Sequence, residues 1–351
     1  MNRPVVQESD YIDFLLAAQR AFDCVSAAET QPEALQGVAH DAYTRLLTRR
    51  PLDPEALWNE AQLVVGDAPQ KGGLLILDDT TLDKPYAQKM ALVSRHWSGK
   101  HQRVVLGINL LSLVWTQTDF KEGRPDFKEG RPVVVPCDFR VYDHNADKDG
   151  VHHTKNDHFC AMLQKAKERG FAPEYVAFDS WYSGLDNLKK LRALGFWFLT
   201  RLKSNRLVNP DKRGLVKVNT VLAVPEGSIV HLKGFGLVRL FQHTGTDGQV
   251  EQWATNDVEM TAQKWRELAK ECWRIESYHR GLKQCCGVER AQVRSATGQR
   301  NHLLLCLRAF LRLEAHRLQL GISWYQAKAN LLLDAIKLAR TYSPFALSPT
   351  A

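Results

Sequence analysis

The sequence has no long hydrophobic run. Its apolar stretches, such as the Leu-Leu-Leu-Cys-Leu run at residues 303–307, are much too short to cross a bilayer, which takes about 20 apolar residues. The first eight residues lack the apolar segment that a secretory signal peptide would carry. We therefore expect no membrane association and a cytoplasmic location.

Paired cysteines are also missing. The seven cysteines include no Cys-x-x-Cys spacing, and their number is odd. A chain of this length with such cysteines is typical of a cytosolic protein whose thiols stay reduced. The adjacent Cys285 and Cys286 have no second ligand pair at zinc spacing, so we predict that they are packed in the interior.

Acidic residues are outnumbered by basic ones. The chain has 47 Lys and Arg against 39 Asp and Glu, which gives a formal net charge of +8. This charge permits a nucleic-acid partner without proving one. The 351 residues suffice for two domains, or for one core with additions, and the contents of 44% hydrophobic and 25% charged residues are those of an ordinary globular protein.

The most informative segment is residues 261–283, which contains no proline and only one glycine. Its apolar residues recur mostly at spacings of three and four, which predicts one continuous helix with a single buried face. Glu276 lies at the edge of this face, and Arg280 and Lys283 follow one and two turns later on the same side. A ladder of solvated ion pairs is the alternative interpretation of this pattern.

Aspartates end two apolar, strand-like runs. Asp78 and Asp79 follow a Leu-Leu-Ile-Leu run, and Asp179 follows a Tyr-Val-Ala-Phe run. An acidic residue at the end of a buried strand is costly unless it is paired or binds a cation. With Glu276 these positions supply three carboxylates, a set that suits hard divalent cations. Either Asp78 or Asp79 could be the ligand, because neighbours on a strand face opposite ways.

These residues, in this order, resemble the DDE-class insertion-sequence transposases, which have a ribonuclease-H-like catalytic core. The resemblance is to the branch whose glutamate lies in a Tyr-x2-Arg-x3-Glu-x6-Lys signature. Residues 273–276 (Trp-Arg-Ile-Glu), His279 and Lys283 match that glutamate helix, and the Asp-Thr-Thr at residues 79–81 matches the first aspartate motif. The resemblance covers roughly residues 74–320.

Two positions depart from the signature. Ala269 stands where its Tyr would be, and Cys272 stands where its Arg would be. The Glu-x6-Lys half is intact. The phosphate contacts that the Tyr and Arg make in the family are therefore lost here, and Arg274 is the candidate to replace them.

The resemblance implies an α/β fold, namely a ribonuclease-H-like mixed five-stranded sheet flanked by helices, with a β-rich insert and an N-terminal helical region. It implies that Asp79, Asp179 and Glu276 are catalytic and bind Mg²⁺ (or Mn²⁺) as metal ligands. It also implies double-stranded DNA as the partner, at both element ends and target, and a homodimer in the DNA complex. The DNA contacts expected from it are Arg274, His279, Arg280 and Lys283.

The patterns along the chain divide it into four regions. These are an N-terminal helical region that is a candidate for DNA binding (1–70), the first part of the core (71–202), the β-rich insert (203–258), and the glutamate helix with packing helices (259–345). Apolar runs predict core strands at about 74–79, 104–115, 133–142, 174–179 and 197–202. A tandem repeat of seven residues, 119–125 and 126–132, lies between the second and third of these strands.

Two alternatives stay open at this point. The polar loop 143–157 is a second candidate metal site, with the potential ligands His144, Asp147, Asp149, His152 and His153. A stand-alone metal-dependent nuclease would use the same three acids without strand transfer. An inactive DNA-binding relic would account for the missing Tyr and Arg.

Overall fold

The computed structural model of the protein describes residues 5–19, 23–32, 37–99, 101–118, 131–144, 153–245 and 248–342. Its first helices are α1 (Glu8–Ala17), α2 (Cys24–Glu29), α3 (His40–Thr48) and α4 (Glu55–Val65). These helices lie within residues 1–70, the region for which the sequence predicts helices.

The remaining elements alternate between strands and helices. The strands are β1 (Leu74–Asp83), β2 (Ser94–Ser98), β3 (Arg103–Gln117), β4 (Val133–Tyr142), β5 (Tyr175–Phe178), β6 (Phe198–Arg201), β7 (Leu207–Asn209), β8 (Val216–Lys217), β9 (Ser228–Leu232), β10 (Gly236–Thr244) and β11 (Val250–Thr255). The helices are α5 (Lys155–Glu168), α6 (Leu185–Ala193), α7 (Ala262–Glu271), α8 (Arg274–Cys285), α9 (Ala296–Leu320) and α10 (Trp324–Tyr342).

Five strands form the central part of the sheet, and all five lie where the apolar runs predicted them. β3 pairs antiparallel with both β1 and β4, while β5 pairs parallel with β1 and with β6. The order is therefore β4-β3-β1-β5-β6, with three antiparallel strands on one side and parallel strands on the other. The protein is thus a mixed α/β structure whose sheet is compatible with a ribonuclease-H-like fold.

The sheet is larger than the five strands that the sequence predicted. β6 pairs antiparallel with β11, where Ala254 lies opposite Thr200, and β10, β9, β7 and β8 continue outward from it. β2, which lies outside the predicted strands, pairs with the start of β3. The described residues therefore form one sheet of eleven strands. The insert pairs its backbone with β6, whose N–H and C=O groups would otherwise form an open edge.

The segment predicted as one glutamate helix is two helices, so that prediction was wrong. α7 ends at Glu271 and α8 begins at Arg274. On α7, the Trp265 ring stacks on Phe241 of β10 with centroids 4.9 Å apart, whereas on α8 Tyr278 packs edge-on against Phe310 of α9 at 4.9 Å. A break allows each helix to bury its apolar face against a different partner, which a periodicity count does not reveal.

The two faces of the sheet are covered by different hydrophobic cores. Along β1, Leu74 and Ile76 contribute to a core that also contains residues of α1, α8 and α9, while Leu75 and Leu77 contribute to a core with α5 and α6. This alternation follows from the two-residue period of a strand. It also decides on which side of the sheet each residue after Leu77 points.

Helix α9 is the scaffold on which the terminal helices pack. The N-terminal helices α1, α3 and α4 contact it, and the Tyr11 hydroxyl lies 3.0 Å from Nδ1 of the buried His302. The Asn301 side chain donates hydrogen bonds of 2.7 Å to the backbone carbonyls of Leu47 and Arg50. The N-terminal region is therefore joined to the rest of the protein by buried contacts.

The fully buried Glu314 joins α9 to β4 and α10. Its carboxylate accepts hydrogen bonds from the Val134 backbone N–H (2.7 Å) and from Trp324 Nε1 (2.5 Å), and it forms a two-point ion pair with Arg317. A buried carboxylate with this many donors is fully compensated.

In the described part of the chain, no helix is both long and apolar enough to cross a membrane.

We predict that Glu314→Ala lowers the free energy of unfolding by about 3–5 kcal/mol, because it leaves the buried Arg317 guanidinium without its carboxylate. Urea denaturation followed by circular dichroism measures the change. Glu267→Ala on the exposed face of α7 is the matched control and should change the free energy by less than about 0.5 kcal/mol. An equally small effect of Glu314→Ala would contradict this account of α9.

Candidate active site

The two neighbouring aspartates of β1 lie on opposite faces of the sheet. Asp78 continues the row of Leu74 and Ile76, and Asp79 continues the row of Leu75 and Leu77. Their carboxylates therefore meet different surroundings, although both are only partly buried.

Asp79 is held by three side chains from distant segments. Its Oδ2 accepts hydrogen bonds from Lys155 Nζ (2.8 Å) and Asn109 Nδ2 (2.6 Å), and its Oδ1 accepts one from the Tyr182 hydroxyl (2.6 Å). Burial raises the pKa of Asp79, but the Lys155 ammonium and the hydrogen bonds more than offset this and hold the pKa below its usual value. Asp79 is therefore an ionised carboxylate that is already neutralised by the protein.

Lys155 is fixed in place as firmly as its partner. It is the first residue of α5, directly after Thr154, whose side chain caps the helix. Its ammonium lies over the Tyr142 ring at 5.8 Å and over the Trp181 ring at 5.3 Å. These two cation–π contacts and the ion pair with Asp79 give the lysine a defined position.

Asp78 lacks this compensation. No described side chain donates a hydrogen bond to it or forms an ion pair with it. The backbone N–H of Asp79 stabilises its charge, and the Arg201 guanidinium attracts it from beyond ion-pair distance. Burial raises its pKa well above the usual value, and the neighbouring carboxylates Asp79, Asp179 and Glu276 raise it further. Asp78 therefore faces an excess of negative charge that a cation would relieve.

Asp179 lies beside Asp78 because of the strand register. In the parallel pair β1–β5, Leu77 lies opposite Phe178, so the next step of the same register leads to Asp78 and Asp179. The Asp179 carboxylate accepts a hydrogen bond from the backbone N–H of Trp181, at the start of a short 3₁₀ turn. Residues at matching positions of parallel neighbours project from the same face, which is the face of Asp78.

Glu276 approaches from the helix that covers this face. It lies in the first turn of α8 and is exposed, while Ile275, Tyr278 and Leu282 on the same helix are buried in the core that contains Ile76. The packing of α8 on β1 thus brings Glu276 near enough to raise the pKa of Asp78.

The cationic residues predicted to contact DNA differ in how they are held. Arg274 forms an ion pair with Glu271 and donates to Thr118 Oγ1 (3.0 Å). Lys283 donates to the Thr81 carbonyl (2.8 Å) and lies 3.2 Å from a carboxylate oxygen of Glu289. Both are thus engaged within the protein.

The other two predicted DNA contacts, His279 and Arg280, differ in their exposure to solvent. Arg280 is exposed, and no described residue pairs with it. His279 is buried, its Nε2 has no hydrogen-bond partner in the described structure, and burial lowers its pKa to about 3, which keeps the ring neutral near pH 7. Arg280 is therefore the one of these two that is accessible to a ligand.

The predicted acids lie near enough to one another to raise the pKa of Asp78, but within the described residues they are not arranged as a complete metal-binding site. Among the residues that the structure describes, no group of three or more His, Cys, Asp and Glu side chains is arranged to hold a metal ion. In the alternative loop site, Asp147, Asp149 and His152 lie outside the described residues. His144 lies 3.4 Å from the Tyr142 hydroxyl.

Sequence reasoning missed the three residues that surround Asp79. Asn109, Lys155 and Tyr182 come from β3, α5 and the turn after β5, and none belongs to a recognisable motif. The only signal for these residues was the pair of adjacent acids, Asp78 and Asp79. Because the two point to opposite faces of the sheet, each of them needs compensating partners on its own face.

The match to a known family agrees with this arrangement. The family of DDE superfamily endonucleases matches residues 11–272, which is well over half of the chain. The matched range includes Asp78, Asp79 and Asp179 and ends four residues before Glu276. No curated protein matches the chain. The protein therefore belongs to the DDE superfamily endonuclease family.

Proposed function

We propose that this protein is a DNA transposase that cleaves phosphodiester bonds at the ends of an insertion sequence and joins them to a target. The observation that supports it best is the placement of Asp78 within β1 and Asp179 directly after β5, at matching positions of two adjacent parallel strands, under the helix that carries Glu276. The strand order β4-β3-β1-β5-β6 supports the proposal that the core is ribonuclease-H-like.

We assign Asp78, Asp179 and Glu276 as the metal-binding carboxylates. The family resemblance favours Asp79 as the first acid, but Asp79 already has three partners on the opposite face of the sheet. Asp78 shares its face with the other two acids and lacks a cation. Asp79 then acts as a positioning residue, because its contacts with Lys155, Asn109 and Tyr182 fix the part of β1 that carries Asp78.

The donor set fits Mg²⁺ or Mn²⁺, because hard divalent cations prefer carboxylate oxygens. A bound metal ion would activate the attacking water or 3′-hydroxyl and stabilise the leaving oxygen in an in-line displacement. Asp78, Asp179 and Glu276 would hold it, and no protein nucleophile is required.

The DNA partners in this proposal are the element ends and the target duplex, bound by two copies of the chain. Arg280 is ready to contact a phosphate, whereas Arg274 and Lys283 would have to exchange their present carboxylate partners for phosphates. His279 as a DNA contact stays a prediction. So do a cytoplasmic location and a DNA-binding role for residues 1–70.

We predict that Asp78→Asn and Glu276→Gln each reduce cleavage of DNA carrying the element ends by more than about 100-fold. Asp79→Asn should reduce it by about 10–100-fold, the usual effect of losing an outer-shell partner. Cleavage and joining in Mg²⁺ are measured on labelled duplexes, with binding to the same duplexes as the control.

The three variants separate the alternatives. Full activity of Asp78→Asn together with complete loss in Asp79→Asn would overturn the assignment of Asp78. Cleavage without joining, on any sequence, would favour a stand-alone nuclease. Binding to element ends without cleavage by the wild type would favour an inactive relic.

We predict that Asp79 and Lys155 are strongly coupled in stability. Lys155→Met leaves the Asp79 carboxylate without its cation and should lower the free energy of unfolding by about 3–5 kcal/mol. The double variant Asp79→Asn/Lys155→Met should lose clearly less than the sum of the two single variants. Urea denaturation of the wild type, the two single variants and the double variant measures the coupling. Additive losses of free energy would show that the ion pair does not stabilise this part of β1.

A further inference from the structure

A cationic pocket of about 300 Å³ lies against α8, the helix that carries Glu276. We call it the arginine pocket. It lies where α8, α9, the start of α10 and the start of β4 meet. The residues that matter for its chemistry are Arg131, Arg274, Arg280, Arg317, Trp324 and Tyr325.

Two of the four arginines carry charge that the protein does not compensate. Arg317 is paired with Glu314, and Arg274 is paired with Glu271. Arg131 donates a hydrogen bond of 2.7 Å to the Gly321 carbonyl, and Arg280 is exposed; neither has a carboxylate partner among the residues that the structure describes. The pocket therefore presents about two free positive charges and favours an anionic ligand.

The aromatic side of the pocket is rigid. Trp324 is fixed by its hydrogen bond to Glu314 and packs on Phe310 with ring centroids 5.0 Å apart. A Cβ atom on Gly281 would lie only 3.0 Å from the Trp324 ring and 3.1 Å from Phe310, so glycine permits this close approach of α8. The neighbouring Tyr325 is 43% exposed and presents an accessible ring.

Arg280 and Tyr325 lie close together. Burial and Cys285 raise the pKa of the Tyr325 hydroxyl, and the Arg280 guanidinium opposes this. A cation next to an exposed aromatic ring is the combination that binds single-stranded nucleic acid, where the phosphate meets the cation and the base stacks on the ring. The volume is at the small end of ligand pockets, which suits one nucleotide and is too small for a duplex.

We propose that the arginine pocket binds one unpaired nucleotide of the DNA strand, with its phosphate at Arg280 and Arg131 and its base against Tyr325. Arg280 follows Glu276 by one helical turn, about 5.4 Å along α8, so this nucleotide would lie close to the bond that is cut. The inference rests on the proposed function for its substrate, but the binding itself needs no metal ion and no cleavage.

The test measures binding of the full chain to labelled ten-residue oligothymidylate and to a blunt duplex of the same length, by fluorescence anisotropy in EDTA. We expect Arg280→Gln to weaken binding of the single strand by about 5–10-fold and to reduce the salt slope by about 0.7, the value of one phosphate contact. Tyr325→Leu should weaken it by about fivefold or more through lost stacking. Tyr325→Leu should bind the duplex nearly as wild type does, because a paired base cannot stack on the ring. Arg280→Gln should weaken the duplex as well, because Arg280 is also the proposed contact for a duplex phosphate.

Arg340→Gln is the matched control, because it removes the same charge from an exposed position on α10. Arg340 lies about 22 Å along this helix from Tyr325, away from the arginine pocket. The control variant should leave both affinities unchanged. Equal effects of Arg280→Gln and Arg340→Gln, or equal losses for single strand and duplex in Tyr325→Leu, would overturn the proposal. Thermal unfolding of each variant shows whether the fold is intact.

Competition identifies the class of ligand. Thymidine 5′-monophosphate should displace the oligonucleotide at lower concentration than inorganic phosphate or a hexaglutamate peptide. Equal competition by phosphate would show a simple anion site, equal competition by the peptide would point to an acidic protein partner, and either result would overturn the nucleotide assignment. Binding is measured in EDTA, where metal-dependent cleavage does not occur, so failure of the metal-site proposal and failure of this one give different results.

Discussion

Two adjacent carboxylates in the middle of β1 set the strictest constraint on this protein, because they point to opposite faces of one sheet. Each must find compensation on its own side, since an uncompensated carboxylate in a partly buried position is costly. On one side Lys155, Asn109 and Tyr182 meet this need for Asp79. On the other side the neighbours of Asp78 are themselves acidic, which leaves a cation as the missing partner.

The rest of the architecture follows from keeping these two sides distinct. The parallel register of β1 and β5 brings Asp179 to Asp78, and α8 can cover both only because it is held on α9 through Tyr278 and Phe310. Helix α9 in turn is fixed to β4 and α10 by the compensated charge of Glu314. A buried ion pair far from the acids therefore contributes to the placement of Glu276, and the same group orients Trp324 in the arginine pocket.

The sequence predicted the elements well where one periodic pattern meets one partner. All five core strands lie where apolar runs placed them, because a buried strand has a short, distinctive pattern. The first strand, however, does not end at Asp79 as predicted but continues to Asp83. The break at Cys272 and Trp273 was missed, since both helices keep the same apolar period while packing on different partners. The extension of the sheet beyond β6 and the cluster around Asp79 were missed because they depend on contacts between segments distant in sequence, which no local pattern encodes.

The break between α7 and α8 gives a physical reason for Ala269 and Cys272, the two positions that differ from the Tyr-x2-Arg-x3-Glu-x6-Lys signature. Ala269 and Cys272 lie at the end of α7, half-buried and packed against the hydrophobic core. A Tyr or Arg at these positions would have to direct a polar group away from that core, whereas a small or weakly polar side chain packs there without cost. The cations available for DNA phosphates lie instead on α8 and at the start of β4, at Arg280 and Arg131. The loss of the signature arginine is thus consistent with a retained function, because positive charge still borders the acids one helical turn away from Glu276.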